Sequence, residues 1–435
     1  MDIHNLISFC GIFVLVFVAW MFSPAKKVMN WRVVIWGIVI QLALAALIFT
    51  VPAGTKFFLF LNDGVIKVLG SASAGARFVF GRLALAPGET GEAGETSLGF
   101  ILAFQAFPTI IFFSSLISIL YYFNIMPRII RFFAYGFTKL MRVSGAESLV
   151  TASNIFAGVE SSLTVKPYLA RMTASEFCTV LTAGMATVSS NILALYVFSL
   201  KTQMPTIAGH LMSASLLSAP AALVISKVMM PEREKPETLG INVEPFYERE
   251  SSMFEAIIRG ANEGLKMIAG IVALLIAVLG LVSFFELFLA FAGNKMNACF
   301  GWHIDWSLKQ LLGYVFYPLT LILGVPHADA GVISKIIAER SIVTEVVAYR
   351  DLAEAMKHGL ILNPRSAVIA VYALCGFAHL ASMAIFVGGT AALAPQRTQA
   401  IAKVAFRALV AATLACLMTA CVAGAFFTKS SILFG

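Results

Sequence analysis

Eight stretches of this chain, at about 5–22, 33–52, 99–123, 178–200, 206–229, 265–292, 366–394 and 401–427, each approach the roughly 20 mostly apolar residues that a helix needs to cross ~30 Å of hydrocarbon. That run length constrains the fold more than any short motif does. The expected fold class is an all-α integral membrane protein. Composition agrees: 59% of the 435 residues are hydrophobic and 12% are charged, against the roughly 25% charged of an ordinary soluble domain. The net charge of +8 comes from scattered Lys and Arg. Many flank the apolar runs, where they mark cytoplasmic loops or snorkel to the interface, so no nucleic-acid partner is expected. Lys26, Lys27 and Arg32 follow the first run, which reads as a retained helix with the N-terminus outside. Cys10, Cys178, Cys299, Cys375, Cys416 and Cys421 have no paired spacing and read as packing residues.

Between the runs lie segments of other kinds. Residues 63–80 are too short and polar to span and suit an interfacial helix, while 84–98 read as a solvent loop. A polar stretch at 231–251 cannot enter lipid and separates two halves. Each half then carries weakly apolar, Gly- and Ser-interrupted sequence, at 128–169 and 306–351. Such segments are expected as re-entrant hairpins, which are tolerated at depth when buried in protein or lining a watery cavity. Each is followed by an apolar run with a polar interruption, at 186–192 and at 376–383. The expected division is 1–127, a first repeat at 128–230, a linker at 231–252, a scaffold helix at 253–305, and a second repeat at 306–435. Repeats of this kind, with one helix between them, are a transporter signature and permit an inverted second copy.

Glu160 and Glu345 occupy comparable places in the two hairpins. A carboxylate at membrane depth is costly, so the functional reading is an acceptor for a polar solute. The bland reading is an ion pair with Lys166 or Arg350, or simply a position at a hairpin mouth. The interruptions add Thr187, Ser189, Ser190 and Asn191 in one half and His379 and Ser382 in the other, as solute or ion ligands or as interhelical hydrogen-bonding groups. His379 could equally be a neutral histidine satisfied by a neighbour. No Walker loop, His-Glu-x-x-His or Gly-x-Ser-x-Gly motif occurs, so ATP coupling and the common hydrolase chemistries have no sequence support.

At these residues the chain resembles the concentrative nucleoside transporters, including their proton- and sodium-coupled bacterial members. Leu312–Gly331 (LGYVFYPLTLILGVPHADAG) is similar to the family's LGxxFxPxxxxxGVP segment. Arg340, three residues and Thr344-Glu345-Val346-Val347-Ala348 match a lysine followed at the same spacing by Asn-Glu-Phe-Val-Ala. Pro364-Arg365 and Cys375–Ala384 match Pro-Arg and Gly-Phe-Ala-Asn-Phe-Ser-Ser, and Ser153–Thr164 resembles Asn-Ile-Phe-Val-Gly-Gln-Thr-Glu. The resemblance implies eight transmembrane helices, two re-entrant hairpins, inverted repeats, a homotrimer in membrane lipid, and elevator-type movement in a bacterial inner membrane. It implies no enzyme activity and no cofactor beyond a coupling ion, sodium or a proton. By motif position Glu345 and Ser382 hold ribose hydroxyls, Phe377 lines the pocket and Glu160 faces the base. Gly158, Val159, Ile192, Thr344 and His379 complete the substrate set. The side chains of Asn154 and Thr187 and the carbonyls of Ala157 and Val188 match the sodium positions.

The chain also departs from that pattern. Val159 alone stands where the family has Gln-Thr, and Thr344 and His379 replace two asparagines. The expected function is ion-coupled symport of nucleosides or nucleoside-like solutes, with the ordinary uridine preference in question. The rival classes are a solute-sensing receptor, a transporter of another hydroxylated solute, and a membrane-embedded enzyme using the two acids.

Overall fold

A computed structural model describes residues 2–86, 88–91, 94–247 and 250–428. Pro87, Glu92 and Ala93 of the expected loop, and Glu248 and Arg249 of the polar stretch, lie outside the described residues. The described residues are helical, with two isolated β-bridges and no strand. The first half comprises α1 (Ile3–Met21), α2 (Trp31–Phe49), α3 (Pro52–Phe80), the short α4 (Leu102–Gln105), α5 (Phe107–Tyr122) and α6 (Ile125–Met141). It continues with α7 (Gly145–Ser153), a 3-10 segment (Val159–Val165), the short α8 (Lys166–Leu169), α9 (Ala174–Ala186), α10 (Ser190–Leu200) and α11 (Ile207–Met229). The second half comprises α12 (Met253–Phe300), α13 (Leu308–Ile322), α14 (His327–Ile342), α15 (Glu345–Lys357), α16 (Pro364–Leu374), α17 (Leu380–Leu393) and α18 (Thr398–Phe426). From α5 and from α12 the same order runs: long helix, flanking helix, hairpin, broken helix, long helix.

Hydrogen bonds sort these elements onto two faces. On one, Arg233 donates to Pro24 O at 2.8 Å, Arg32 Nε to Leu140 O at 2.9 Å, and Tyr247 OH to Asn124 Oδ1 at 3.0 Å. On the other, Asn5 donates to Phe427 O at 2.9 Å, and Arg365 to His4 O at 2.7 Å and Gly324 O at 2.8 Å. The first face gathers Lys26, Lys27, Arg32, Arg131, Lys139, Arg142 and Arg233, which the positive-inside rule assigns to the cytoplasm.

Both legs of the first hairpin meet the linker on that face. Gly145 N–H donates to Thr238 O at 2.8 Å, and Phe246 N–H to Thr164 O at 2.9 Å. The second hairpin opens on the opposite face, where Asp329 at the start of α14 accepts from Leu362 N–H at 2.9 Å and Asn363 N–H at 3.1 Å. The hairpins therefore enter from opposite sides, and the repeats are inverted.

Several boundaries differ from the sequence reading. The stretch 128–169 is two elements: α6 is a separate amphipathic helix, burying Ile130, Ala134 and Phe137 and exposing Phe132 and Tyr135. Only the sequence from Gly145 forms the hairpin, because Arg142 in the left-handed region (φ 53°) ends α6 and Ser144 caps α7. In the second half α13 flanks the hairpin, which is α14 and α15. Residues 63–80 belong to a longer helix, since Pro52 at the first turn starts α3.

By length and composition the segment from Pro52 to Ala84 qualifies as a span. Its ends say otherwise: α2 leaves the cytoplasmic face and α5 returns to it, so α3 begins and ends outside. Gly209 N–H, at the outer start of α11, donates to Asn62 at 3.1 Å, and Gln105, which ends α4 just ahead of α5, donates to Leu85 O at 2.8 Å. Hence α3 lies along the outer surface, as an interfacial helix should. The eighth crossing is the broken pair α16–α17.

The helix read as 265–292 extends over 48 residues. It buries only Ala256, Gly260, Gly264 and Gly293, and packs along α5. A Cβ on Gly260 would lie 2.6 Å from Ser114 O and one on Gly264 2.8 Å from Ile111 Cα, so small residues let these two backbones approach closely. Four cysteines are buried, but Cys10 and Cys299 are exposed and pack no core.

Candidate functional site

The two helix breaks meet at the centre of the molecule. Gly376, between α16 and α17, has φ +120°, and a Cβ there would lie 2.8 Å from the carbonyl of Ala186, where α9 ends. Only glycine combines that conformation with that approach. The freed carbonyls turn to α18, where Cys416 Sγ donates to Cys375 O at 2.8 Å and lies 3.6 Å from Ala186 O. Arg340, fully buried on α14, donates to Ala373 O at 2.7 Å near the end of α16. Cationic and thiol donors thus answer carbonyls that an unbroken helix would have paired.

Each hairpin packs against the second half of the other repeat's broken helix. On the first, Ser162 Oγ lies 3.3 Å from Thr390 Oγ1 of α17, and a Cβ on Gly389 would meet Val159 Cγ2 at 2.6 Å. On the second, Tyr196 of α10 donates to Glu345 Oε1 at 2.8 Å. The other carboxylate oxygen of Glu345 lies 3.0 Å from His379 Nε2. His379 caps α17: its Nδ1 accepts from Ser382 N–H at 3.2 Å, while Ser382 Oγ donates to His379 O at 2.8 Å and also contacts Phe377 O. Glu345, Phe377, His379 and Ser382 are therefore brought together, with Thr344 beside them in sequence.

Polar atoms around this point remain unpaired despite burial. Thr344 Oγ1, Glu345 Oε2, Asn191 Oδ1 and Ser189 Oγ have no hydrogen-bond partner. His379 approaches Oε2 at ion-pair distance without hydrogen-bond geometry. A buried unsatisfied polar atom costs about 1–3 kcal/mol, so several at two helix starts and a hairpin tip mark a place for a polar ligand. Phe377 and Ile192, each 9% exposed, supply apolar wall.

Glu160 is placed differently. A Cβ on Gly158 would sit 3.1 Å from its Oε2 and 3.4 Å from Ser189 Cβ, so the carboxylate folds back over the first hairpin tip beside the first break. It is half-buried, within electrostatic reach of Tyr121 and of Glu263 on α12. The ion-pair readings of the two acids fail. Lys166 lies over the Phe246 ring at 5.7 Å, and Arg350 is paired with Glu354 at 3.8 Å.

The expected sodium positions share one locality. Ser190 N–H donates to Phe156 O at 3.0 Å, holding the first break against the hairpin tip. Ser215 Oγ of α11 donates to Ile155 O at 2.9 Å and lies 3.3 Å from Val188 O. Asn154 Oδ1 accepts from Ser161 Oγ at 2.9 Å, and Thr187 Oγ1 donates to Ala183 O at 2.8 Å. Asn154, Ala157, Thr187 and Val188 are all buried. Amide, hydroxyl and carbonyl oxygens are ligands suited to a hard cation. Among the described residues no cluster of His, Cys, Asp and Glu could hold a metal ion.

Tyr196 and Ser215 have no place among the residues singled out from sequence, and Cys416, read there as a packing residue, also donates to a freed carbonyl. A Tyr inside an apolar run needs a hydroxyl partner, which was the one available signal for Tyr196.

Family models described as Na+ dependent nucleoside transporter C-terminus and N-terminus match residues 210–424 and 10–83, and a nucleoside recognition model matches 103–203. Nucleoside permease NupC of Helicobacter pylori is 36% identical over 429 residues, covering 98% of this chain and 99% of that one. The chain belongs to the concentrative nucleoside transporter family. Mouse solute carrier family 28 member 3 is 36% identical over 97% of this chain, which spans 59% of that longer protein. Among solved structures, CNTnw in an inward-facing substrate-bound state matches with TM-score 0.85 and 32% identity, covering 98% of this chain and 97% of that one. An outward-facing CNTnw variant matches with TM-score 0.86 and 31% identity over 98% of each chain. The matched models and relatives are transporters rather than enzymes.

Proposed function

We propose that this protein imports nucleosides or nucleoside-like solutes across a bacterial inner membrane by ion-coupled symport. The observation that carries the reading is Glu345, clamped at the second hairpin tip between Tyr196 and His379 with Oε2 still open. A carboxylate only accepts, so its natural ligands are hydroxyl or amine donors, such as the two neighbouring hydroxyls of a ribose. Asn191, Ser189 and Thr344 add polar contacts, Phe377 and Ile192 the apolar wall, and Glu160 with Gly158 and Val159 the base-facing side. Sodium is the favoured coupling ion, at Asn154, Thr187 and the carbonyls of Ala157 and Val188. One charge moving down 100 mV supplies ~2.3 kcal/mol, enough for roughly fifty-fold accumulation.

In this reading α5 and α12 form a fixed post, and the hairpins with the broken helices move past it as an elevator, in a homotrimer. Uptake of radiolabelled nucleosides into proteoliposomes, with and without a sodium gradient, tests the proposal. Saturable flux that follows the gradient supports it. Binding without flux would assign a receptor, and chemical change in the solute an enzyme.

A further inference from the structure

We infer that His379 is a positioning residue held in one tautomer by its own helix cap, which turns Nε2–H toward Glu345 at the mouth of the ligand site. Nδ1 of His379 decides the tautomer. It accepts from Ser382 N–H at 3.2 Å, and an accepting ring nitrogen carries a lone pair, so the proton of the neutral ring is on Nε2. Nε2 is the atom 3.0 Å from Glu345 Oε2. The cap thus sets which nitrogen faces the carboxylate and gives it an N–H.

Becoming imidazolium would require a proton on Nδ1, which removes the acceptor from the first turn of α17. The ring is 3% exposed, so breaking that bond would strand a buried N–H at the start of α17. Tyr196 fixes the second oxygen from the opposite repeat. It is fully buried, its ring lies 4.6 Å from that of Tyr349, and Tyr349 OH is itself spent on Val371 O at 2.9 Å. The ionisable groups around the pair are Tyr196 from α10 and Tyr349 from α15, with Arg340 of α14 and Cys375 and Cys416 behind Tyr349. The one cation among them, Arg340, points to Ala373 O. The carboxylate is therefore held through Oε1 by the Tyr196 hydroxyl, while Oε2 faces His379 Nε2 at 3.0 Å without a hydrogen bond and stays open to a ligand.

This has a consequence for the coupling step, and here the inference rests on the transport reading. A histidine whose second nitrogen is committed to the backbone is a poor proton carrier. The geometry thus assigns His379 no part in carrying the coupling proton, in keeping with a driving ion held by the oxygen ligands at the first hairpin tip.

The test reads the ring directly. Protein labelled with 15N-histidine, reconstituted in lipid, gives long-range 15N–1H correlations, and the His379 signal is identified by its loss in His379→Gln. The expected result is the Nε2–H tautomer; an imidazolium or an Nδ1–H tautomer overturns the inference. Sodium-driven uptake measured across neutral and mildly acidic pH supplies the second readout. A flat profile in the native protein is expected, and a steep rise toward low pH that persists without sodium overturns the coupling claim. His379→Asn retains a capping oxygen but withdraws the donor from Glu345. It should keep its melting temperature while the ligand profile shifts at least fivefold between nucleosides. An unaltered profile assigns His379 to the cap alone. If no nucleoside is bound or carried by any form, the transport reading fails while the tautomer result still decides the lock.

Discussion

Replacing Glu345 with Gln tests the centre of the site, because the side chain keeps its shape and loses its charge. In the native protein Tyr196 donates to one oxygen and His379 Nε2 faces the other. The amide must turn its NH2 toward one of these donors, leaving a buried N–H or O–H unpaired in the unliganded protein. That costs about 1–3 kcal/mol of stability. The ligand term is separate. A hydrogen bond to a charged group contributes about 1.5–3 kcal/mol and a neutral one about 0.5–1.5, so two sugar hydroxyls together lose roughly 2 kcal/mol. That weakens riboside binding about 30-fold. Equilibrium binding of a tritiated nucleoside to purified protein measures the second effect, and thermal unfolding without ligand measures the first. The comparison that decides is between the riboside and its 2′,3′-dideoxy analogue. Native protein should prefer the riboside strongly, and Glu345→Gln should cut that preference about 30-fold and lower riboside uptake with it. Equal weakening of both compounds, or an unchanged riboside preference, would refute the assignment of Glu345 to the sugar.

Other parts of the fold make independent commitments. Lys227 is buried at the end of α11, paired with Glu147 and with Glu232 at 3.3 Å, so Lys227→Met should cost about 3–5 kcal/mol. Adding Glu147→Leu should recover part of the lost melting temperature, and no loss in the single variant would refute the buried pairing. Gly376→Ala forces a side chain into a positive-φ position with Cys416 Sγ 2.7 Å away. It should cost at least ~1–2 kcal/mol from the backbone alone, and wild-type unfolding and uptake would contradict the crossing of the two breaks. Ser215→Ala removes a hydroxyl bonded to the first hairpin tip. The apparent sodium affinity should fall about 2- to 10-fold, and a sodium titration of uptake that does not move would detach Ser215 from the ion site.

Much of this arrangement was legible because lipid leaves a chain few options. The spanning runs, the polar linker and the two interruptions follow from length and polarity alone, and Glu345 stood in an ungapped motif. What periodicity missed is where one helix stops and an adjacent one starts on the same face. Arg142 and Ser144 separate α6 from α7 by backbone conformation and capping, which hydrophobic pattern does not register. α3 is misleading in the other direction. It is apolar enough to cross, and only the contacts of Asn62 and Gln105 show that it returns to the side it left. Tyr196, Ser215 and Cys416 act through partners about 60 to 230 residues away, and a single sequence carries no record of such pairings. The capping role of His379 lay within three residues but needed the break to be seen before its two nitrogens could be told apart.

The length of α12 has a mechanical consequence. Its apolar stretch at 265–292 measures ~42 Å at 1.5 Å per residue, against a hydrocarbon layer of ~30 Å. The mismatch is relieved by tilt, bending or local thickening of the bilayer, and tilt alone would require about 45°. Thinning the layer to ~27 Å raises that angle to about 50°, and thickening it to ~33 Å lowers it to about 38°. Because Gly260 and Gly264 seat α5 directly on this helix, both lean together. The slope of the surface along which the other helices are packed is thereby set by acyl-chain length, so lipid thickness becomes a variable in the energetics of this protein just as temperature and ion concentration are.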